Sequence, residues 1–410
     1  MIKRYGKLTA VAAVVATVSL PALASGDARN MGLGGVNTVG GHYLNAPSGN
    51  PALLSSQARE SDDFGFMLPN FSARAEDPDE LFDSIDDLQD SIDELDEAID
   101  NASGSQNVED AEQVKAARDQ VVADFAKTEG EILLGVNLGT VIATHTGAGS
   151  FSLSVLGNLD LIGVTDIDDG DIVGLNDAET VEELEEQLDN LDSKAGIIAA
   201  AVVDAGLTYA NKYQIDGHQF AFGTTLKAQR IDVFNYQDSI SDFDDEDFDE
   251  DQYLADDTQF NLDLGVVYQL SESWTVGLSA RNVLGGEVES QPIEVGGETV
   301  TYKVSPQAAV GIAYQNRFVT LAADVELMAE ERFLESEKDD SQYASIGAEF
   351  DLYRWAQLRV GFASDLESNY EDKYTAGIGL SPFDVLHINI GAQYADDRKG
   401  AAGVQLAFTF

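Results

Sequence analysis

Carboxylates are the side chains with the most chemistry to offer in this 410-residue sequence, which carries 74 Asp and Glu against 23 Lys and Arg. Ten of the residues from Asp242 to Asp257 are acidic, and Asp166-Ile167-Asp168-Asp169-Gly170-Asp171 repeats the pattern on a smaller scale. Such runs suit a hard cation such as calcium, which takes several carboxylate oxygens. The shorter run misses the calcium-loop spacing, because Gly170 stands fifth from Asp166 and the motif wants it sixth. Both runs are therefore read as disordered or weakly cation-binding, and no metal site is expected. Carboxylate pairs for acid–base work occur throughout the acidic stretches, so their proximity singles out no catalytic pair. The chain has no cysteine and four histidines, which removes thiol catalysis, thiolate zinc sites and disulfides. The glycines of Met31-Gly32-Leu33-Gly34-Gly35 neither follow a strand nor open a helix, so they make no nucleotide loop. No cofactor and no enzymatic activity are expected. The acidic balance repels nucleic acid.

The elements that position these residues begin with an export signal. Lys3, Arg4 and Lys7 precede an apolar stretch from Leu8 to Leu20, and Ala22-Leu23-Ala24 supplies the small-x-small cleavage pattern, so residues 1–24 read as a signal peptide. Beyond it no run approaches the roughly 20 apolar residues of a spanning helix. A chain of this kind that spans a membrane must do so as a closed barrel.

Alternation of period two supports the barrel. Phe260, Leu262, Leu264, Val266, Tyr268 and Leu270 alternate with Asn261, Asp263, Gly265, Val267 and Gln269. Val319, Leu321, Ala323, Val325 and Leu327 do the same, as do Leu386, Ile388, Ile390, Ala392 and Tyr394. The chain ends on Val404, Leu406, Phe408 and Phe410 along one face. Fourteen strands follow, near 62–74, 131–145, 149–164, 195–211, 217–236, 258–270, 273–283, 305–315, 318–329, 343–352, 355–365, 373–381, 385–395 and 401–410. Long gaps (75–130, 165–194, 237–257, 284–304, 330–342, 366–372 and 396–400) alternate with short ones. The long gaps hold 57 of the 74 acidic and 9 of the 23 basic residues. Long loops on one rim and short turns on the other mark an outer-membrane barrel with its short turns in the periplasm.

Two insertions carry helical patterns. Leu81, Ile85, Leu88, Ile92, Leu95 and Ile99 form an a/d seam, and Val114, Val121 and Phe125 share one side of a second helix over 108–127. Asn101 to Ser105 breaks the two, giving an antiparallel hairpin outside the barrel in the insertion 75–130. Val181, Leu184, Leu188 and Leu191 give the insertion 165–194 an amphipathic helix that can complete a small bundle. The insertion 237–257 is the acidic loop.

Residues 25–61 precede the first strand and contain Arg29 to Gly35, Asn45-Ala46 and Asn50-Pro51-Ala52-Leu53-Leu54. This resembles the long-chain fatty acid transporter (FadL) family of outer-membrane barrels, and within it a branch labelled conjugal transfer protein TraF. The resemblance rests on the Asn50-Pro51-Ala52 motif, the glycines Gly32, Gly34 and Gly35, the helical acidic insertion and the barrel end. It implies an all-β membrane protein: a fourteen-stranded antiparallel barrel over 62–410, plugged by residues 25–61. It also implies a passive channel for small hydrophobic compounds, which enter at the outer loops and leave sideways through a break in the wall. Phe408 and Phe410 resemble the terminal signal read by the barrel assembly machinery. Arg281, Asp324, Glu326 and Arg359 are the charged candidates for the lumen, and outer-membrane lipid is the expected surrounding. The other readings are a surface interaction protein with a non-conducting barrel, in which the helical hairpin meets the partner, and a general porin, in which the four charges form an eyelet.

Overall fold

The computed structural model describes residues 27–59, 62–77, 80–102, 108–128, 130–178, 180–240, 251–293, 298–334, 339–353, 355–396 and 398–410. The signal segment 1–24, most of the interhelical break and residues 242–250 of the acidic run lie outside them. The alternating segments form β1 (Phe64–Glu76), β2 (Gly130–Thr146), β3 (Gly149–Asp166), β4 (Lys194–Ile215), β5 (His218–Ser239), β6 (Leu254–Gln269) and β7 (Trp274–Arg281). After a short hairpin of β8 (Glu287–Glu289) and β9 (Thr301–Lys303) come β10 (Gln307–Gln315), β11 (Val319–Glu326), β12 (Tyr343–Leu352) and β13 (Ala356–Asp365). The last strands are β14 (Lys373–Leu380), β15 (Leu386–Asp396) and β16 (Lys399–Thr409). Apart from β8 and β9, each strand pairs antiparallel with its sequence neighbours, and β1 closes on β16, giving a fourteen-stranded barrel. Closure leaves no open edge, which is what a backbone in hydrocarbon requires.

The apolar side of the alternation faces out. Phe260 is 80% exposed and Leu226 60%, and Leu321, Ile390 and Val404 on other strands are about half exposed. Their neighbours Asn261, Asp263, Thr320 and Gln405 are buried against the lumen contents. A soluble barrel would reverse this, so the outer face is the one that meets lipid. Phe66 stacks on Phe408 at 4.8 Å and on Phe410 at 6.4 Å, placing both terminal aromatics outside at the short-turn rim. Strand positions follow the sequence reading closely. The main departures are β6, which begins at Leu254, and the β8–β9 hairpin, which forms inside the long gap 284–304.

The insertions pack on two sides of the tall wall β3–β5. Helices occupy Leu81–Ala102, Val108–Phe125, Asp169–Asp177 and Val181–Asp189. Leu88, Ile92, Leu95, Ile99, Val121, Phe125, Leu184 and Leu188 share one core with Ala195, Ile197, Ala199 and Tyr236. These wall residues are on the outward face, so the bundle covers apolar wall directly above the lipid-facing belt. The Asp166–Asp171 stretch is a correction: it is ordered, with Asp166 closing β3 and Asp169 opening a helix. Asp168 caps it by accepting from Gly170 N at 2.6 Å, and Asp171 accepts from the backbone N–H of Asp192 and Ser193. The Asp168 and Asp171 carboxylates are thus taken up by backbone donors. On the inward face, Ala200, Ile231 and Val233 pack with Val288, Tyr302, Val304 and Phe333. The β8–β9 hairpin and the segment around Phe333 thus fold into the mouth, bridged by Tyr302 and Phe333.

Candidate functional site: a lumen divided into two chambers

Residues 27–57 run through the barrel interior as a chain of short turns. The helix Ala28–Met31 is capped by Asp27, whose carboxylate accepts from Asn30 N. Gly34 and Gly35 take positive φ of 75° and 86°, a turn that side chains disfavour. A 3-10 turn at Tyr43–Ser48 and the helix Leu53–Ser56 follow. Leu33, Val36, Val39, Tyr43, Leu44 and Leu53 are all essentially inaccessible to solvent.

The wall makes room for this segment with a belt of inward glycines. Gly223 pairs with Gly265, Gly277 with Gly311, Gly347 with Gly361, and Gly377 with Gly391, which in turn pairs with Gly403. A Cβ on Gly223 would overlap the backbone of Pro51, and one on Gly265 would overlap the Asn50 side chain. On the other side, Gly361 abuts Leu33 and Gly34, and a Cβ on Gly377 would lie 3.0 Å from the Cα of Gly32. The Asn50-Pro51-Ala52 motif and the Gly32–Gly35 turn therefore touch opposite arcs of one belt.

Asn50 ties the segment to the wall. Its Nδ2 donates to Thr38 O at 2.9 Å and to Val266 O and Leu278 O at 3.4 Å, while its Oδ1 accepts from Ala52 N at 3.0 Å. Asp324 accepts from the backbone N–H of Asn37 and Thr38 at 2.8 and 2.7 Å. Asn50→Ala strips buried groups of their partners at a cost of about 2 kcal/mol. The expected result is hydrogen exchange of amides 28–56 faster by roughly thirtyfold, with exchange in the strand ladder unchanged. Unaltered exchange across the segment would show that Asn50 does not hold it.

The segment separates two cavities. The one on the short-turn side, about 760 Å³, is lined by Arg29, His42, Asn45, Arg59, Glu349 and Arg359, among others. The one under the mouth, about 330 Å³, is lined by Arg74, Asp160, Asp204, Lys227, Arg281, Glu326 and Arg332, among others. Glu349 takes hydrogen bonds from Arg29 at 3.1 Å and Arg359 at 2.6 Å. Lys227 bridges Asp204 and Asp263 at 3.1 and 3.2 Å. Burial pushes the Asp27 carboxyl upward and drives the His42 imidazole well down, with His387 and nearby arginines adding to the latter. The four lumen candidates all face inward but form no ring. Arg359 lines the short-turn chamber, Arg281 donates to Ser48 O at 3.2 Å, Glu326 accepts from Tyr343 N, and Asp324 clamps the segment. No porin eyelet is formed from them.

The wall has a fault in β1. Met67 pairs with Val141 and Asn70 with Gly139, so Leu68 and Pro69 stand against the single residue Thr140. Met67 and Asn70 are both buried although three apart, which regular alternation forbids; one residue is extra. Pro69 has no N–H to donate there. The cavity under the mouth reaches this point, touching Asn70, Leu156 and Leu138, the last half exposed on the outer face. Sequence reading missed both the fault and the glycine belt; Pro69 inside an otherwise strand-like run was the available signal.

Residues 47–326 match the family model described as "F plasmid transfer operon, TraF, protein". The chain belongs to that family. No curated protein matches this TraF-family member. Among solved structures it is similar to the Pseudomonas putida toluene transporter TodX, with a TM-score of 0.52 and 12% identity over 95% of this chain and 98% of that one. A structure titled "TodX deltaS2S3 mutant monoaromatic hydrocarbon channel" gives 0.50 and 13%, over 93% and 97%. At such identities the likeness shows that this TraF-family chain shares the FadL-type barrel fold, and the fold alone.

Proposed function

We propose that this chain is a plugged outer-membrane channel that admits small hydrophobic compounds and releases them sideways into lipid. The carrying observation is the divided lumen: residues 27–57 part the two chambers, while the chamber under the mouth reaches the fault at Leu68–Asn70. An apolar molecule in a polar chamber gains free energy by moving into hydrocarbon, so a side exit is favoured over an axial one. Residues 25–61 act as the plug, with Asn50, Pro51, Ala52, Gly32, Gly34 and Gly35 seating it on the glycine belt. Residues 1–24 direct export, Phe408 and Phe410 serve assembly, and the helical bundle lies on the cell exterior. The acidic loops disfavour anionic ligands at the mouth, and the neighbour TodX, by its title, transports toluene. Intact cells producing the chain are expected to take up radiolabelled toluene several-fold faster than cells lacking it. Equal rates, with folded barrel present in the outer membrane, would overturn the channel.

A further inference from the structure

The chamber on the short-turn side is basic in a chain that is otherwise strongly acidic. Arg29, Arg59, Arg317 and Arg359 line it, against Glu349 and Asp351 alone of the carboxylates. Arg59 is answered from outside the lining by Asp384 at 2.6 Å. Arg29 and Arg359 share one carboxylate, since both donate to Glu349 Oε2, at 3.1 and 2.6 Å. The Arg359 side chain is 3% exposed and that of Arg29 12%. Asp27 also lies within reach of their charge, but it lines the mouth chamber, caps Asn30, and is pushed by burial toward its neutral form. Two largely buried guanidiniums on one carboxylate leave positive charge short of a partner, which is costly until an anion supplies it.

The donors are contiguous. Arg359 on β13 reaches past Gly379 of β14 to donate to Asn389 Oδ1 of β15 at 2.9 Å; a Cβ on Gly379 would lie 2.7 Å from Arg359 Nη2. His387, two residues along the same inward face of β15, has its ring 5.6 Å from that of His42. His42 belongs to the segment inside the barrel and is half-buried in the chamber lining. Its Nδ1 accepts from Leu44 N at 3.2 Å. Burial, then His387 and the guanidiniums of Arg29, Arg59 and Arg359, hold its imidazole well below the usual range. A neutral ring whose Nδ1 accepts carries its proton on Nε2. That N–H is claimed by no hydrogen bond among the described residues and is open to the chamber.

We propose that the short-turn chamber binds a small oxyanion, a carboxylate or a phosphate, between Arg29 and His42 of the inner segment and Arg359 of the wall. The site stands on this lining and does not require that the barrel conduct. Guanidiniums and an imidazole N–H are donors suited to oxyanion oxygens. Entry is from the short-turn rim, because Asn316, Arg317 and Tyr353 of the turns line the chamber, whereas the acidic long loops at the other end repel anions. Since the donors come from both segment and wall, a bound oxyanion fastens one to the other.

The test is calorimetric titration of the purified full-length barrel in nonionic detergent, at neutral pH and fixed ionic strength, with inorganic phosphate, succinate and chloride. Phosphate or succinate is expected to bind about tenfold more tightly than chloride, and the tighter of the two names the source of the oxyanion. Arg29→Gln, which keeps a donor for Glu349 but loses the charge, should weaken that binding about tenfold. Arg317→Gln, on an exposed turn, should weaken it about threefold. At ten times its Kd the oxyanion should slow hydrogen exchange of amides 28–45 by about tenfold and leave the strands unchanged. Should Arg29→Gln fail to fold, Arg317→Gln and the exchange measurement still decide. The site would be overturned if neither oxyanion bound more tightly than chloride, or if folded Arg29→Gln or Arg317→Gln kept full affinity. Binding that left exchange of amides 28–45 unaltered would equally overturn the bridge between segment and wall.

Discussion

Removing residues 28–55 is expected to turn a barrel that passes almost no current into an open pore. The segment lies between the two chambers, lining both, and seats on the glycine belt. Without it the belt presents bare backbone to water, and the lumen opens to the width that fourteen strands allow. Closed barrels of that size class leave an aqueous channel when nothing fills them, so single-channel conductance should rise on the order of tenfold or more. The wall itself should survive. Its ladder runs from β1 round to β16 with register shifts only at the β1 fault and near Tyr394–Asp396 in β15, and none of those pairings uses the segment. Planar-bilayer recordings of the deletion, with heat-modifiable mobility as the check on folding, decide the matter. A folded deletion with unchanged conductance would remove residues 25–61 from the gating role, and with it most of the argument for a side exit.

Deleting Pro69 should have the opposite effect on transport. The deletion removes the extra residue between Met67 and Asn70, so both still face inward and Leu68 meets Thr140 alone. The backbone groups left apart by the bulge can then join the ladder on both sides, since β1 is out of step with β16 across the same stretch. The barrel should become more stable, and the way from the mouth chamber to lipid should close. Toluene uptake by cells is expected to fall several-fold, toward the rate of cells without the protein, if release into hydrocarbon passes through that gap. Full uptake by a folded Pro69 deletion would show that the exit lies elsewhere. The pair of deletions separates the two routes, because one opens the axis and the other closes the side.

The helices and strands were largely legible in the residues. Period-two runs such as Phe260–Leu270 gave the strands, and the heptad seam at Leu88, Ile92, Leu95 and Ile99 gave the hairpin whose buried core the structure contains. The reading of Asp166–Asp171 as disordered was wrong about its local structure. Acid-rich sequence reads as coil until one sees that backbone N–H groups of Asp192 and Ser193, more than twenty positions away, converge on Asp171. The β8–β9 hairpin was invisible for a similar reason: three-residue strands carry too little periodicity, and theirs depends on Tyr302 meeting Phe333 and on the inward face of β4 and β5.

What the sequence determined by itself was local and repetitive: fourteen alternating strands, the sorting of long acidic gaps from short turns, the terminal aromatics, and a glycine-rich segment with Asn50-Pro51-Ala52 ahead of the first strand. Each follows from residue spacing along one stretch of chain. Only the tertiary structure decided that glycines from nine strands stand in one ring, that Asn50 reaches carbonyls of β6 and β7, and that Arg281, Asp324, Glu326 and Arg359 are dispersed rather than gathered in an eyelet. The physical reason is register. Two residues at the same height on a barrel can be hundreds of positions apart, and their meeting is set by how each strand slides against the next around a closed circuit. A single extra residue, as at Pro69, shifts that register without altering the alternation on either side of it.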